Sequence, residues 1–358
     1  MTGLERTHLL MNHKKTDRIG IYEHFWGDTY SEWYNKGKIP NGEGFSDHFD
    51  FDIDACWAFS YAADLDFTSE VVAEDEDTIT MKDSNYAILR RHKKHDTTPE
   101  HVAFTVDCRE KWDELIVPKI EVMDTRRINF EGYRNAKAHC KEKNRYFYWS
   151  GINVFECMHP VCGHENMLMA MIEDPEWVLD MCRRYTEMNI QCMEVLFEKE
   201  GKPDGIWFYE DMGYKGAPFM SPAMYDTFIK PFHKMTCDFA HSLGLQVMMH
   251  SCGFVEPLLP GMIEAGIDGL QVIEIKAGMD LLRIFRNFGD KLALMGGIDV
   301  RTLYSNDRAV IDAELESKIP IVKQGCAYFL HSDHSIPKTV DYESYQYFLE
   351  RGRELGKM

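Results

Sequence analysis

From about Ile206 onward the chain alternates short apolar runs with longer stretches whose apolar positions recur at helical spacing. The runs are "GIWFYE" (205–210), "LQVMMH" (245–250), "GLQVIE" (269–274), "LALMGG" (292–297) and "AYFLHS" (327–332). Strands separated by helices in this order build a parallel sheet from βα units. Between the first two runs, residues 221–242 open on Ser-Pro, a helix-start signal, and keep a 3.6-residue period. Upstream, residues 175–201 read as a long helix, while "RYFYWSG" (145–151) and "RIGIYEHFWGD" (18–28) read as further strands. The stretch "VVAEDEDTITMKDSNYAIL" (71–89) alternates with period two around a polar turn, as an inserted β-hairpin does. The pattern predicts an α/β fold: a single (β/α)8 TIM barrel spanning residues 1–358 with an N-terminal β-hairpin insertion.

Composition narrows the class without altering this outline. Hydrophobic residues make up 44% of the 358 positions and charged residues 28%, enough apolar mass for a packed core. Acidic side chains outnumber basic ones by 59 to 40, for a formal charge of −19, which repels phosphate backbones and anionic membranes and argues against nucleic acid as a partner. The opening "MTGLERTHLLMNHKKTDRIG" carries charge throughout, and no window reaches the ~18 apolar residues of a membrane span, so a cytoplasmic location is expected. Ten cysteines without a dense framework are expected to stay thiols. The run "ENMLMAMI" (165–172) reads as helical core filling, and the basic clusters "HKKTDR" (13–18) and "RRHKKH" (90–95) as solvated loops.

A barrel builds its site from residues at the C-terminal ends of its strands. Here those positions are polar: Glu23, His24 and Asp28; Glu210 and Asp211; His250 and Cys252; Glu274; Asp299; His331, Asp333 and His334. Polar residues there also cap helices. A set that joins carboxylates, imidazoles and a thiol on one rim is nevertheless how metal and acid/base sites are made. His250 and Cys252, one residue apart, are donors of the kind Zn²⁺ prefers. The third ligand is either Cys326 or His334. Cys326 precedes its strand and should sit about 13 Å from the rim, whereas His334 follows the strand, so His334 is the expected ligand.

The segments "YEDMGYKGAPFMSP", "HSCGFVEPLLPGMIEAGIDGLQ", "GDKLALMGGIDVRTL" and "YFLHSDHSIP" resemble the uroporphyrinogen decarboxylase superfamily, and within it the cobamide-dependent methyltransferase branch. True decarboxylases carry an arginine-bearing segment that holds a polycarboxylate substrate; the chain has "IGIYEHFWGDT" there, and Glu23 and Asp28 would repel such a substrate. The resemblance implies a zinc site of the form His-x-Cys followed far downstream by Cys. His250 and Cys252 match it, while the downstream position falls on His334, with Cys326 as the alternative. It further implies Glu210, Asp211 and Glu274 as catalytic carboxylates, any of which could fill a coordination position. Glu23, His24, Trp26, Tyr214, Asp299, His331 and Asp333 are the expected substrate contacts.

Within that branch zinc either activates a methylated substrate for demethylation by cobalt or binds a thiol or folate-type acceptor that takes a methyl group from cobalt. The chain lacks an Asp-x-His-x-x-Gly cobalamin signature, so the corrinoid is expected on a partner protein. Whether two copies form a homodimer is open. Two other readings stand beside this one: a metal-independent decarboxylase or lyase in which His250 and the carboxylates move protons, and a silent accessory barrel that binds the corrinoid protein.

Overall fold

The computed structural model describes residues 1–94 and 98–358. Its strands, in chain order, are β1 (Gly20–Ile21), β2 (Ile53–Trp57), β3 (Glu70–Glu74), β4 (Thr78–Lys82), β5 (Ala87–His92), β6 (Glu100–Phe104), β7 (Tyr146–Ile152), β8 (Gly205–Tyr209), β9 (Gly213–Tyr214), β10 (Ala217–Pro218), β11 (Gln246–Ser251), β12 (Gly269–Val272), β13 (Ala293–Gly296) and β14 (Tyr328–Leu330). Eight of them form a parallel sheet in the order β1-β14-β13-β12-β11-β8-β7-β2. The sheet curls until its ends meet, where the Asp52 N–H donates to the Ile21 carbonyl at 3.0 Å. Asp52 pins the same junction with its side chain, accepting from Ile21 N at 2.8 Å and pairing with Arg6 and Arg18. This is the TIM-barrel arrangement that the βα rhythm predicts.

Alternation along each strand separates two cores. Tyr146, Tyr148, Trp207, Met248, Met295 and Phe329 fill the barrel, closed at its base by Leu10 and Met11 of the helix Gly3–Met11. Their strand neighbours Phe147, Trp149, Ile206, Phe208, Val247, Met249 and Leu294 face the surrounding helices.

Three elements differ from the sequence expectation. The expected hairpin over 71–89 is part of a four-stranded antiparallel sheet, β3-β4-β5-β6, and runs through β3 and β4 into β5. The basic run 90–95 therefore begins in a strand rather than a loop, and its last residue, His95, lies outside the described residues. Residues 221–242 form two helices, Pro222–Phe228 and Lys230–Ser242, because Pro231 has no N–H to continue the first. Strand β2 escaped the pattern altogether: "IDACW" mixes polar and apolar residues without a clean period. All ten cysteines are unpaired. Among the described residues no helix is long and apolar enough to cross a membrane.

Candidate active site

At the C-terminal ends of the strands the apolar filling gives way to one polar layer. Parallel pairing sets His250 beside Tyr209 on one side and Gln271 on the other. All three have the inward parity of Trp207 and Met248. His24 and His331 complete the layer, with 3.0 Å between His24 Nδ1 and His331 Nε2. Above it opens a cavity of ≈ 250 Å³, whose walls include Trp26, Thr98, Asp211, Cys252 and His334.

The hydrogen bonds fix where the ring protons sit. His331 Nδ1 lies 2.5 Å from the Ser332 carbonyl, which only accepts, so that nitrogen carries the proton. His331 Nε2 then accepts from His24 Nδ1–H and from the Gln271 amide at 3.3 Å. His24 Nε2, in turn, accepts from the Tyr209 hydroxyl at 3.0 Å. Gln271 Oε1 receives His250 Nδ1–H. Burial drives His24 well below its ordinary value and His331 down to about 3, with nearby imidazoles adding to the shift, so both rings are neutral.

This chain of donors leaves His250 Nε2 facing Cys252 Sγ at 3.3 Å and Asp211 Oδ1 at 3.3 Å. The three donor atoms of Asp211, His250 and Cys252 all lie within 4.8 Å of one another. Zinc bonds of about 2.0–2.1 Å to nitrogen or oxygen and about 2.3 Å to sulfur place tetrahedral neighbours about 3.3–3.6 Å apart, the spacing at which His250 Nε2 stands from both other donors, and the donor types are those that ion takes. Burial alone would lower His250, but Cys252 and Asp211 raise it well above the ordinary imidazole range. Burial likewise pushes the Cys252 thiol up and opposes the ionisation of Asp211, whose carboxyl His250 nonetheless holds low.

The local backbone explains how Cys252 reaches this point. Gly253 has φ +80°, and a Cβ there would lie 2.2 Å from the Gly213 backbone, so the loops after β8 and β11 touch main chain to main chain. The Cys252 N–H donates to Asp211 Oδ1 at 2.7 Å and the Gly253 N–H to Glu274 Oε2 at 2.6 Å.

The other expected residues divide among several tasks. His334 stands on the cavity wall, stacked on Trp26 with 5.7 Å between ring centroids, and is not in the three-donor group. Cys326 precedes β14, at the opposite end of the barrel. Glu210 is spent on structure: its oxygens accept from Phe155 N at 2.9 Å, Glu156 N at 2.8 Å and His233 Nε2 at 2.5 Å. Asp333 caps two helical starts, accepting from Ile275 N at 2.9 Å and Val300 N at 2.8 Å, and Asp299 caps the helix Val300–Tyr304. Glu23 lies behind the polar layer, bonded to Ser332 and to the N–H of His24. Burial raises it to about 8, against those bonds. Tyr214 and Glu274 line an adjoining open groove of ≈ 470 Å³ that meets the cavity at Cys252. Tyr209 and Gln271 were missed. Gln271 could have been found as the lone polar residue of "GLQVI", and Tyr209 by its inward parity.

Comparison with known proteins supplies the remaining context. No curated protein sequence matches the chain significantly. Among solved structures, the chain is similar to a methyltransferase from Methanosarcina mazei, with a TM-score of 0.69 and 15% identity over 99% of each chain. It is also similar to 3-keto-D-glucoside 4-epimerase from E. coli, with a TM-score of 0.36 and 11% identity over 72% of this chain and 96% of that one. Residues 154–355, more than half of the chain, match uroporphyrinogen decarboxylase (URO-D). With the barrel and its rim in place, that match makes the chain a member of the uroporphyrinogen decarboxylase (URO-D) family.

Proposed function

We propose that the protein is a zinc-dependent methyltransferase that moves a methyl group between a small methylated substrate or thiol acceptor and the cobalt of a corrinoid carried by a partner protein. The observation that carries this reading is the convergence of Asp211, His250 and Cys252 on the lining of a small cavity. The likeness of the whole chain to a methyltransferase supports it. Zinc at that position supplies Lewis acidity, which lowers the pKa of a bound thiol or makes a bound heteroatom a better leaving group. Gln271 aims His250 Nε2 at the metal position. Trp26 and His334 wall the cavity, whose ≈ 250 Å³ suits a small substrate and is far too small for a corrinoid. The cobalt face must therefore approach from outside, where the groove of Tyr214, Lys215, Glu274 and Lys276 opens at Cys252. Tyr209, held by His24, offers a hydroxyl that can keep or pass a proton at the cavity wall.

Zinc content of the wild type, Cys252→Ala and Asp211→Ala, measured beside methyl exchange between methylcobalamin and a small thiol, tests the reading. The expected result is one zinc equivalent lost in each variant together with the exchange. Equal zinc in wild type and Cys252→Ala, with no methyl exchange, would overturn it. The Tyr209–His24–His331 relay would then favour the metal-independent lyase.

A further inference from the structure

Three imidazoles cluster outside the cavity, in positions that neither the motif nor the proposed reaction uses. His159 and His164 lie on the helix Val154–Glu173 and His101 on β6, with one nitrogen of each within 4.8 Å of the others. In an unbroken helix residues five apart point about 140° apart and cannot share a ligand. Here the helix is broken at Gly163 (φ 79°, ψ 155°), and the rings of His159 and His164 stack with centroids 4.2 Å apart. A Cβ on Gly163 would lie 2.5 Å from the ring of Phe104. The bare glycine thus lets β6 close on the helix and sets the His101 ring 6.0 Å from that of His159 and 6.4 Å from that of His164.

The hydrogen bonding of His159 uses one ring nitrogen and leaves the other without a partner among the described residues. Nε2 pairs with Glu156 Oε1 at 3.0 Å. Nδ1 is buried and has no hydrogen-bond partner among the described residues. A carboxylate that takes the N–H on one ring nitrogen frees the lone pair of the other, which is how metal-binding histidines are oriented. A buried lone pair without a partner costs about 1–3 kcal/mol, a deficit that a metal bond removes.

We infer that His101, His159 and His164 form a second metal site, which binds a divalent transition-metal ion such as zinc through three nitrogens and fastens the inserted sheet to the barrel. Three imidazoles with an open fourth position suit zinc, and the absence of sulfur from the set distinguishes it from the cavity group. The two sites communicate through one carboxylate, since Glu156 Oε1 also accepts the Asp211 N–H at 3.2 Å. Thr98, three residues before His101, lines the cavity, so an ion that holds His101 also holds that wall.

Titration of the chelator-stripped full chain with Co²⁺ and then Zn²⁺ tests the inference, because only the cavity site gives a thiolate-to-cobalt charge-transfer band. The wild type is expected to bind two equivalents. His101→Gln/His164→Gln is expected to keep one, with the band, and Cys252→Ala to keep one, without it. Zinc added to Cys252→Ala should slow amide exchange in residues 100–104 at least about tenfold, with no such effect once His101 and His164 are also replaced. A His101→Gln/His164→Gln variant that binds as many ions as the wild type, or a Cys252→Ala variant that binds none, would overturn the site; unchanged exchange would overturn the fastening. Failure of the proposed function alone looks different: a single ion without the band, lost only when the histidines are replaced.

Discussion

Gln271 touches no reacting group, yet it decides how His250 is presented, and its replacement isolates that contribution. The side chain is fully buried, with Oε1 taking His250 Nδ1–H and Nε2 lying 3.3 Å from His331 Nε2. Gln271→Leu preserves most of the volume and strands the His250 N–H in a buried position, at a cost of about 1–3 kcal/mol. If the ring turns or changes tautomer to escape, Nε2 no longer aims its lone pair between Cys252 and Asp211, and the loss moves to the metal. Partners of this kind are worth about 10–100-fold in metal affinity, which at about 1.4 kcal/mol per tenfold matches the desolvation estimate. The assay is zinc affinity by competition with a chromophoric chelator, in a His101→Gln/His164→Gln background that leaves only the cavity, together with the urea midpoint of the stripped protein. Gln271→Leu is expected to weaken zinc about 10–100-fold, while Gln271→Glu, which keeps the acceptor and adds charge, binds at least as tightly as the parent. Affinity within about threefold of the parent, with an unchanged midpoint, would refute the reasoning.

Three further outcomes follow from the same geometry. Asp211→Ala should remove the cavity zinc whereas His334→Ala should retain it, since only Asp211 joins the three-donor group; elemental analysis that gave the reverse would reinstate His334 as the ligand. Glu210→Ala should lower the urea-unfolding free energy by about 3–5 kcal/mol, because it strands the buried His233, the buried N–H of Phe155 and the partly buried N–H of Glu156, and a change below about 1 kcal/mol would show that the network is dispensable. Glu23, raised by burial to about 8 from an ordinary 4.5, keeps in the native state a proton that the unfolded chain has released. Its contribution is therefore complete below about pH 4.5 and lost as pH rises to about 8, with an upper bound on the order of 5 kcal/mol. Unfolding free energies from pH 5 to 9 should fall more steeply in wild type than in Glu23→Gln, and parallel curves would dismiss the assignment.

The barrel was legible because its later strands are short apolar runs buried on both faces, which repeat with helices between them. What the pattern concealed has a common cause. β2 carries Asp54 and the half-buried Cys56 and Ala55, so its burial does not alternate cleanly, and β6 carries four exposed residues in succession beginning at Glu100. Such strands are specified by their neighbours in the sheet rather than by their own composition. The break of residues 221–242 was written at Pro231, but a proline near a helix start is ordinary, and the sequence does not say whether one helix or two precede it.

Among the rim residues, strand parity separates site from scaffold better than residue type does. Inward parity runs through Trp207, Tyr209 and Asp211 on β8 and the residues after it, and through Met248, His250 and Cys252 on β11 and the residue after it; these carry the donors. The opposite parity holds Glu23 and Glu210, both turned to neighbouring backbone N–H groups. Glu210 there meets the start of the helix Val154–Glu173, where the first N–H groups lack partners, and is consumed by them, while Glu23 is consumed by the strand-end N–H groups of His24 and Ser332. Asp333 marks the limit of the rule. It shares parity with His331, yet β14 ends at Leu330, and three residues later the chain has turned enough to send the carboxylate to the N–H groups of Ile275 and Val300. Parity therefore holds for about two residues past a strand, and within that reach it picks Asp211 from the neighbouring Glu210, a choice that residue type cannot make.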